Sequence, residues 1–131
     1  MISFFILPFN PSYWKTAKSD LVIDPEWYRT MMQQKWAEAK IYIPPADSTY
    51  LVRWEIDQDG IYITGGLQRN HQTVSFQPGF KLNLPAFVLW HREIILEKFQ
   101  LFLTWEETWE SMEIKLDTSE QDILDFTKLV N

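Results

Sequence analysis

The sequence of 131 residues contains no cysteine, and this absence excludes three classes of protein. A disulfide-stapled mini-protein, an enzyme with a thiol nucleophile and a cysteine-based zinc site all require cysteine. Glycine is scarce as well, with four residues, and no Gly/Ser linker, internal repeat or low-complexity segment divides the chain. We therefore predict a single domain over residues 1–131, which is long enough to bury an independent hydrophobic core.

Clusters of basic residues and long apolar segments are also missing. The nine bases of residues 1–92 are scattered, whereas phosphate binding needs clustered lysine and arginine. The apolar segment at residues 2–9 lacks the positive region of a signal peptide and is too short to span a bilayer. These features argue against nucleic acid and membranes as partners, and with the missing cysteine they favour a cytoplasmic location.

Acidic charge is concentrated in the last 39 residues, which hold ten Asp and Glu side chains against three lysines. The first 92 residues hold eight acidic and nine basic side chains, so the C-terminal third accounts for the whole net charge of −6. Such an asymmetry bears on solubility and partners rather than on the fold. It favours a basic protein as the partner.

The spacing of apolar residues predicts the secondary structure. A continuous apolar run predicts a strand near residues 4–7 that is buried on both faces. Alternation predicts strands near residues 50–56, 61–64, 73–76, 99–105 and 112–116, and the dipeptide Asp59-Gly60 predicts a hairpin that pairs Ile56 with Ile63. Helical spacing and capping residues predict helices at residues 24–40, at 85–97 and from 118 onward, although 87–90 also suits a buried strand. The predicted order is strand–helix–strand–strand–strand–helix–strand–strand–helix. It indicates an α+β fold, with a mainly antiparallel sheet of about five to six strands and helices packed on one face.

None of the common catalytic motifs is present. His71 is expected in a solvated loop and His91 on a helix surface, and with Glu93 they are too few and too poorly spaced for a zinc site. No serine lies in G-x-S-x-G, and neither phosphate-loop glycine pattern occurs. The segment 57–60 resembles the start of a calcium loop, but Gln68 stands where the loop needs glutamate. We predict no metal and no cofactor, and we favour a non-enzymatic role.

The segment from Trp105 to Glu110 is the strongest candidate for function, because it combines two indoles and three carboxylates in a predicted connection between strands. Exposed tryptophan is a common binding hot spot, and surrounding carboxylates steer basic partners. Trp105 continues the alternation of Phe99, Leu101 and Leu103, so its side chain is expected to face the core. Trp109 suits equally well an exposed binding residue and a residue that covers a hydrophobic edge. The first hypothesis is a protein-interaction or regulatory module that binds a basic protein through Trp109, Glu106, Glu107 and Glu110.

Two other interpretations stay open. A curved sheet under helices can form an aromatic-lined cup, which suits a small-ligand-binding protein or an enzyme. Its polar groups would be His91, Arg92, Glu93 and Tyr62. Alternatively, a strand edge at residues 73–76 would pair across a two-fold axis and form a homodimer. Four further tryptophans fit apolar stripes and are assigned to the core: Trp27, Trp36, Trp54 and Trp90.

Overall fold

Alternating apolar residues build most of the strands in this computed structural model, which describes residues 2–129. The strands are β1 (Phe4–Leu7), β2 (Lys40–Tyr42), β3 (Tyr50–Gln58), β4 (Ile61–Gln68), β5 (Val74–Pro78), β6 (Phe102–Trp105) and β7 (Ser111–Glu113), and the α-helices are α1 (Pro25–Lys35), α2 (Leu84–Ile94) and α3 (Glu120–Leu129). All neighbouring strands are antiparallel, in the order β2-β3-β4-β5-β1-β6-β7. The predicted α+β fold is confirmed, and β2 is one strand more than the predicted order contains.

Helix α1 begins where the capping residue predicts and ends earlier than expected. The Asp24 carboxylate accepts the backbone N–H of Trp27 over 2.8 Å. The predicted continuation to residue 40 is wrong, because the helix ends at Lys35 and Lys40–Tyr42 pairs with β3 instead. At Trp36 the backbone leaves helical geometry and the indole is buried in the core. Tertiary packing therefore overrides the helical spacing of this segment.

The hairpin between β3 and β4 forms as predicted. Its turn residues Asp59 and Gly60 have φ values of 53° and 79°, the positive angles that a type I′ turn requires. Ile56 pairs with Ile63, and both side chains are buried on the same face. The turn chemistry and the apolar alternation therefore specify one register.

Two adjacent glycines of β4 let aromatic rings lie directly on the sheet. A Cβ atom on Gly65 would lie 3.0 Å from the ring of Trp54 on the helical face. On the opposite face, a Cβ atom on Gly66 would lie 2.5 Å from the ring of Tyr50. Any larger residue would force the rings to shift. Gly65 therefore leaves room for the Trp54 ring on one face, and Gly66 leaves room for the Tyr50 ring on the other.

The three helices cover one face of the sheet, and the hydrophobic core lies between these two layers. Strand residues on this face are almost fully buried, and each helix contributes its own apolar side chains. The core includes Phe4, Ile6, Val52, Trp54, Ile56, Ile63, Leu67, Phe76, Leu103, Tyr28, Met32, Phe87, Trp90, Ile123 and Phe126.

The other face, which we call the open face, has no α-helix of residues 2–129 over it. The strand registers place one residue from each strand in a continuous row across this face. The row runs Tyr42, Arg53, Gly66, Ser75, Phe5, Thr104 and Ser111. Small and polar residues dominate it, in contrast to the apolar face under the helices.

Some individual placements differ from expectation. Segment 73–76 contributes to β5, which lies between β1 and β4, so it is not a sheet edge and is unavailable for pairing across a two-fold axis. Trp27, assigned to the core, is 38% exposed because it lies on the outer side of α1. Val130, whose spacing would continue the apolar stripe of the predicted last helix, lies outside the described residues.

Candidate functional site

The connection between β6 and β7 places Trp109 on the open face. The Trp109 N–H donates to the carbonyl oxygen of Trp105 over 2.8 Å, and the Trp105 N–H donates to that of Glu110 over 2.9 Å. These bonds hold Trp109 at a φ of 65°, which is uncommon for a bulky residue. Its ring lies 5.7 Å from the ring of Phe5, and 54% of its surface stays exposed. Trp105 packs in part against the core, as predicted.

An apolar groove of about 610 Å³ opens beside Trp109, and we call it the tryptophan groove. A 3-10 turn at Pro11–Tyr13 forms its far side and is capped by Asn10, whose side-chain oxygen accepts the Ser12 N–H over 3.0 Å. Trp14 follows this turn and is 66% exposed. The groove is lined by Leu7, Phe9, Pro11, Trp14 and Trp109. Two exposed indoles therefore flank an apolar depression.

The three glutamates of the connection surround this tryptophan with negative charge. Glu106, Glu107 and Glu110 are all exposed, and among residues 2–129 no ion pair includes any of them. Lys15, whose ammonium lies 5.5 Å from the Trp14 ring centre, is the basic residue on the opposite side of the groove. The electrostatics near Trp109 therefore favour a cationic group.

A smaller cavity of about 170 Å³, which we call the polar cavity, lies on the same face. Phe5 and Glu106 line it, so it lies on the other side of the Phe5–Trp109 contact from the tryptophan groove. Its remaining lining residues are Ser3, Tyr50, Arg53, Thr64, Gly65, Ser75, Phe76 and Gln77. Glu107 and Glu110 line neither cavity.

His91 lies in the core, and the expectation of a surface histidine is wrong. The side chain is completely buried, and its Nδ1 shares a hydrogen bond of 2.8 Å with the Tyr28 hydroxyl. Burial, with a smaller contribution from the charge of Arg92, lowers the pKa of His91 to about 3. Burial also raises the pKa of Tyr28 well above its usual value. The pair is therefore neutral at neutral pH.

Arg92 is buried to 4% exposure and binds backbone carbonyl groups. Its guanidinium donates to the carbonyl oxygens of Phe99 (2.9 Å), Ile114 (3.4 Å), Ile95 (3.1 Å) and Leu96 (2.8 Å). Burial lowers the pKa of Arg92, and the carboxylates of Glu97 and Glu113 partly offset this effect. Arg92 thus joins the end of α2 to the segments on both sides of the β6–β7 hairpin.

The four residues of the small-ligand interpretation are not brought together. His91 and Arg92 are buried in the helical layer, and Glu93 is exposed on α2 beside Lys35. Tyr62 lies on the open face, since its neighbours in β4 point into the core. Each of the two buried side chains is engaged by protein groups, in contrast to the exposed residues near Trp109.

No family model matches the chain, and neither the curated proteins nor the solved structures compared with it gave a significant match. Within residues 2–129, no group of three His, Asp or Glu side chains is arranged to hold a metal ion. No helix in that range has the length and apolar character needed to cross a membrane.

Most residues of both cavities are not predictable from the sequence. The predicted strand near residues 4–7 does not indicate that Leu7 lines a groove, and no pattern in the sequence distinguishes Phe9 or Trp14. Their proximity to Trp109 depends on the pairing of β1 with β6, which joins segments about a hundred residues apart. The sheet face of Arg53 is predictable, because strict alternation in β3 places this side chain on the face opposite to Trp54.

Proposed function

We propose that this chain is a protein-binding module, which takes up a peptide segment of a basic partner in the tryptophan groove. An apolar side chain of the segment would lie between Trp14 and Trp109, and flanking lysine or arginine side chains would face Glu107 and Glu110. Trp109 carries the proposal, because it is a half-exposed indole held over an apolar groove by its own backbone hydrogen bonds.

The energetics of exposed aromatic residues support this assignment. Two large indoles in solvent, 66% exposed at Trp14 and 54% at Trp109, leave apolar area that a partner would bury. Tryptophan is also enriched among residues that dominate binding energy. Because Phe5 and the turn bonds restrict Trp109, the loss of side-chain entropy on binding is small.

Charge identifies the class of partner. The glutamates next to Trp109 in the sequence form no ion pair within residues 2–129, so a cationic segment gains attraction there and an acidic segment meets repulsion. These exposed charges act mainly on the association rate and are screened by salt. Binding through this groove should therefore weaken as ionic strength rises.

The role of Trp109 can be tested with random 12-residue peptides displayed on phage and selected on the immobilised protein. We expect selected peptides to contain one or two large apolar residues flanked by lysine or arginine. For the best synthetic peptide, Trp109→Ala should raise Kd at least about tenfold, because a central aromatic anchor is lost. Fluorescence anisotropy with a labelled peptide measures this change.

Two controls make the result specific. Trp27→Ala removes another partly exposed indole from the helical side of the molecule and should leave Kd unchanged. The pair Glu107→Gln and Glu110→Gln should raise Kd and flatten its dependence on salt. Selected peptides without basic residues, or a Trp109→Ala variant that binds as well as the parent, would contradict the proposal.

A further inference from the structure

Within residues 2–129, Arg53 in the polar cavity has no anionic partner. Its guanidinium lies over the Tyr50 ring, 4.6 Å from the ring centre, and its buried Nε atom has no hydrogen-bond acceptor in the same part of the chain. Glu55 shares its face of β3 and Glu106 lines the same cavity, yet among residues 2–129 Arg53 forms no ion pair with either. The Nε atom is closed to solvent, so an external anion would bind the terminal nitrogen atoms of this half-buried guanidinium, which has lost part of its hydration.

Hydroxyl donors converge on the same cavity. The Ser75 hydroxyl donates to the Tyr50 oxygen over 2.9 Å, which leaves the Tyr50 O–H free to donate. The Gln77 amide donates to the Ser3 oxygen over 2.9 Å, which likewise leaves the Ser3 O–H as a donor. Arg53, Tyr50 and Ser3 therefore present donors, and an acceptor is the group that they lack.

The shape of this site depends on Gly66. Because Gly66 has no side chain, the Tyr50 ring from β3 can lie across β4 at this position, and its hydroxyl reaches Ser75 on β5. The same ring supports the guanidinium of Arg53 from below. The strands of the sheet thus fix the positions of the donor residues Tyr50 and Arg53.

We propose that the polar cavity binds a carboxylate group, with Arg53 as its ionic partner and the Tyr50 hydroxyl as a second donor. A planar carboxylate matches the fork of a guanidinium, and its single charge matches the single cation. A phosphate dianion would be repelled more strongly by Glu106, which lines the cavity. The volume of about 170 Å³ is below the roughly 300–1,000 Å³ of sites for drug-sized ligands, which suits a small terminal group.

This carboxylate has two chemical sources, a free small acid and the C-terminus of a polypeptide. The probes are therefore sodium acetate, N-acetylglycine and the neutral isostere N-acetylglycinamide, each titrated into the ¹⁵N-labelled full chain at constant ionic strength. We expect saturable shifts at the backbone amides of Arg53, Gly66 and Ser75 with a Kd in the millimolar range. N-acetylglycinamide should cause none.

Variants assign the effect to the cavity. Arg53→Gln should weaken N-acetylglycine binding at least about tenfold, while Arg53→Lys should retain part of it as a point charge. Tyr50→Phe should weaken binding a few-fold, because one donor is lost while the ring remains. Glu106→Gln should tighten binding, since it removes a nearby negative charge. Each variant is first checked for a native amide spectrum, and Tyr50→Phe keeps the test decisive if Arg53→Gln fails to fold.

The outcomes separate the two sources and define failure. Binding of acetate and N-acetylglycine alike identifies a free small carboxylate, whereas binding of N-acetylglycine alone identifies a chain terminus. Absence of saturation with both acids, equal shifts with the neutral amide, or unchanged binding in Arg53→Gln and Tyr50→Phe overturns the proposal. Because Trp109→Ala leaves these donors in place, failure of the tryptophan groove does not predict failure here.

Discussion

Replacing Arg92 with methionine is expected to lower the free energy of unfolding by about 3–5 kcal/mol. Methionine fills a similar volume but donates no hydrogen bond, so four carbonyl oxygens lose the guanidinium. These carbonyls belong to Ile95, Leu96, Phe99 and Ile114. Each buried carbonyl left without a partner costs about 1–3 kcal/mol, and partial access of water to the more exposed ones reduces the total.

The position of Arg92 explains why one side chain carries so large an effect. Its N–H groups reach the two residues that follow α2, the segment before β6 and the residue after β7. The helix end and the hairpin therefore share one hydrogen-bonding centre, which backbone pairing alone does not supply. This buried cation is tolerated because carbonyl dipoles take the place of water and because the carboxylates of Glu97 and Glu113 favour its charged form.

Urea unfolding measures this prediction, with the midpoint and slope determined for each variant. Arg92→Lys should lose less than Arg92→Met, because the ammonium keeps up to three donors. The matched control is Arg29→Met on the exposed side of α1, where an arginine pairs with Glu26, and it should stay within about 0.5 kcal/mol of the parent. A loss below about 1 kcal/mol in Arg92→Met would show that Arg92 is not a structural centre.

Local features of the fold were predictable because their causes are local. The Asp59-Gly60 turn and the alternation in β3 determine the first hairpin, and the Asp24 cap determines where α1 begins. The strand at residues 40–42 was not predicted, because three residues are too few to show an apolar periodicity. It forms by pairing with β3. The placement of β1 between β5 and β6 likewise depends on contacts between distant segments.

The sequence indicates single residues of the candidate site, but it does not indicate which distant residues come together there. Exposure of Trp109 agrees with its place in a charged connection, but its groove requires Trp14 and Leu7 from the other end of the chain. His91 was misplaced on the surface because Arg92 and Glu93 follow it, which suggests a polar side of the helix. In fact α2 is buried on almost all sides. The apolar run before residue 91 was therefore the better indicator that His91 is buried.

His91 is expected to make the protein strongly sensitive to acid. In the unfolded chain its pKa is near 6.5, whereas burial lowers the pKa to about 3 in the folded protein. Between these values the unfolded state binds the additional proton, so the free energy of unfolding falls as pH decreases from 6.5 toward 3. Above pH 6.5 this contribution is constant. At about 1.4 kcal/mol for each pKa unit, the loss over the whole window is on the order of 5 kcal/mol.

The variant His91→Gln isolates this contribution. Glutamine keeps a polar group near the Tyr28 hydroxyl and carries no titrating charge, so the exposed carboxylates titrate alike in both proteins. We expect the variant to be less stable than the parent at pH 7.5, because the imidazole fits its buried site, and to lose less stability on acidification. Urea unfolding at several pH values from 7.5 to 4 measures both curves. Parallel curves would mean that His91 takes up its proton in the folded protein as readily as in the unfolded chain, and the core around Tyr28 would then be accessible to water. Converging curves would show that a neutral imidazole is required for the two layers to pack.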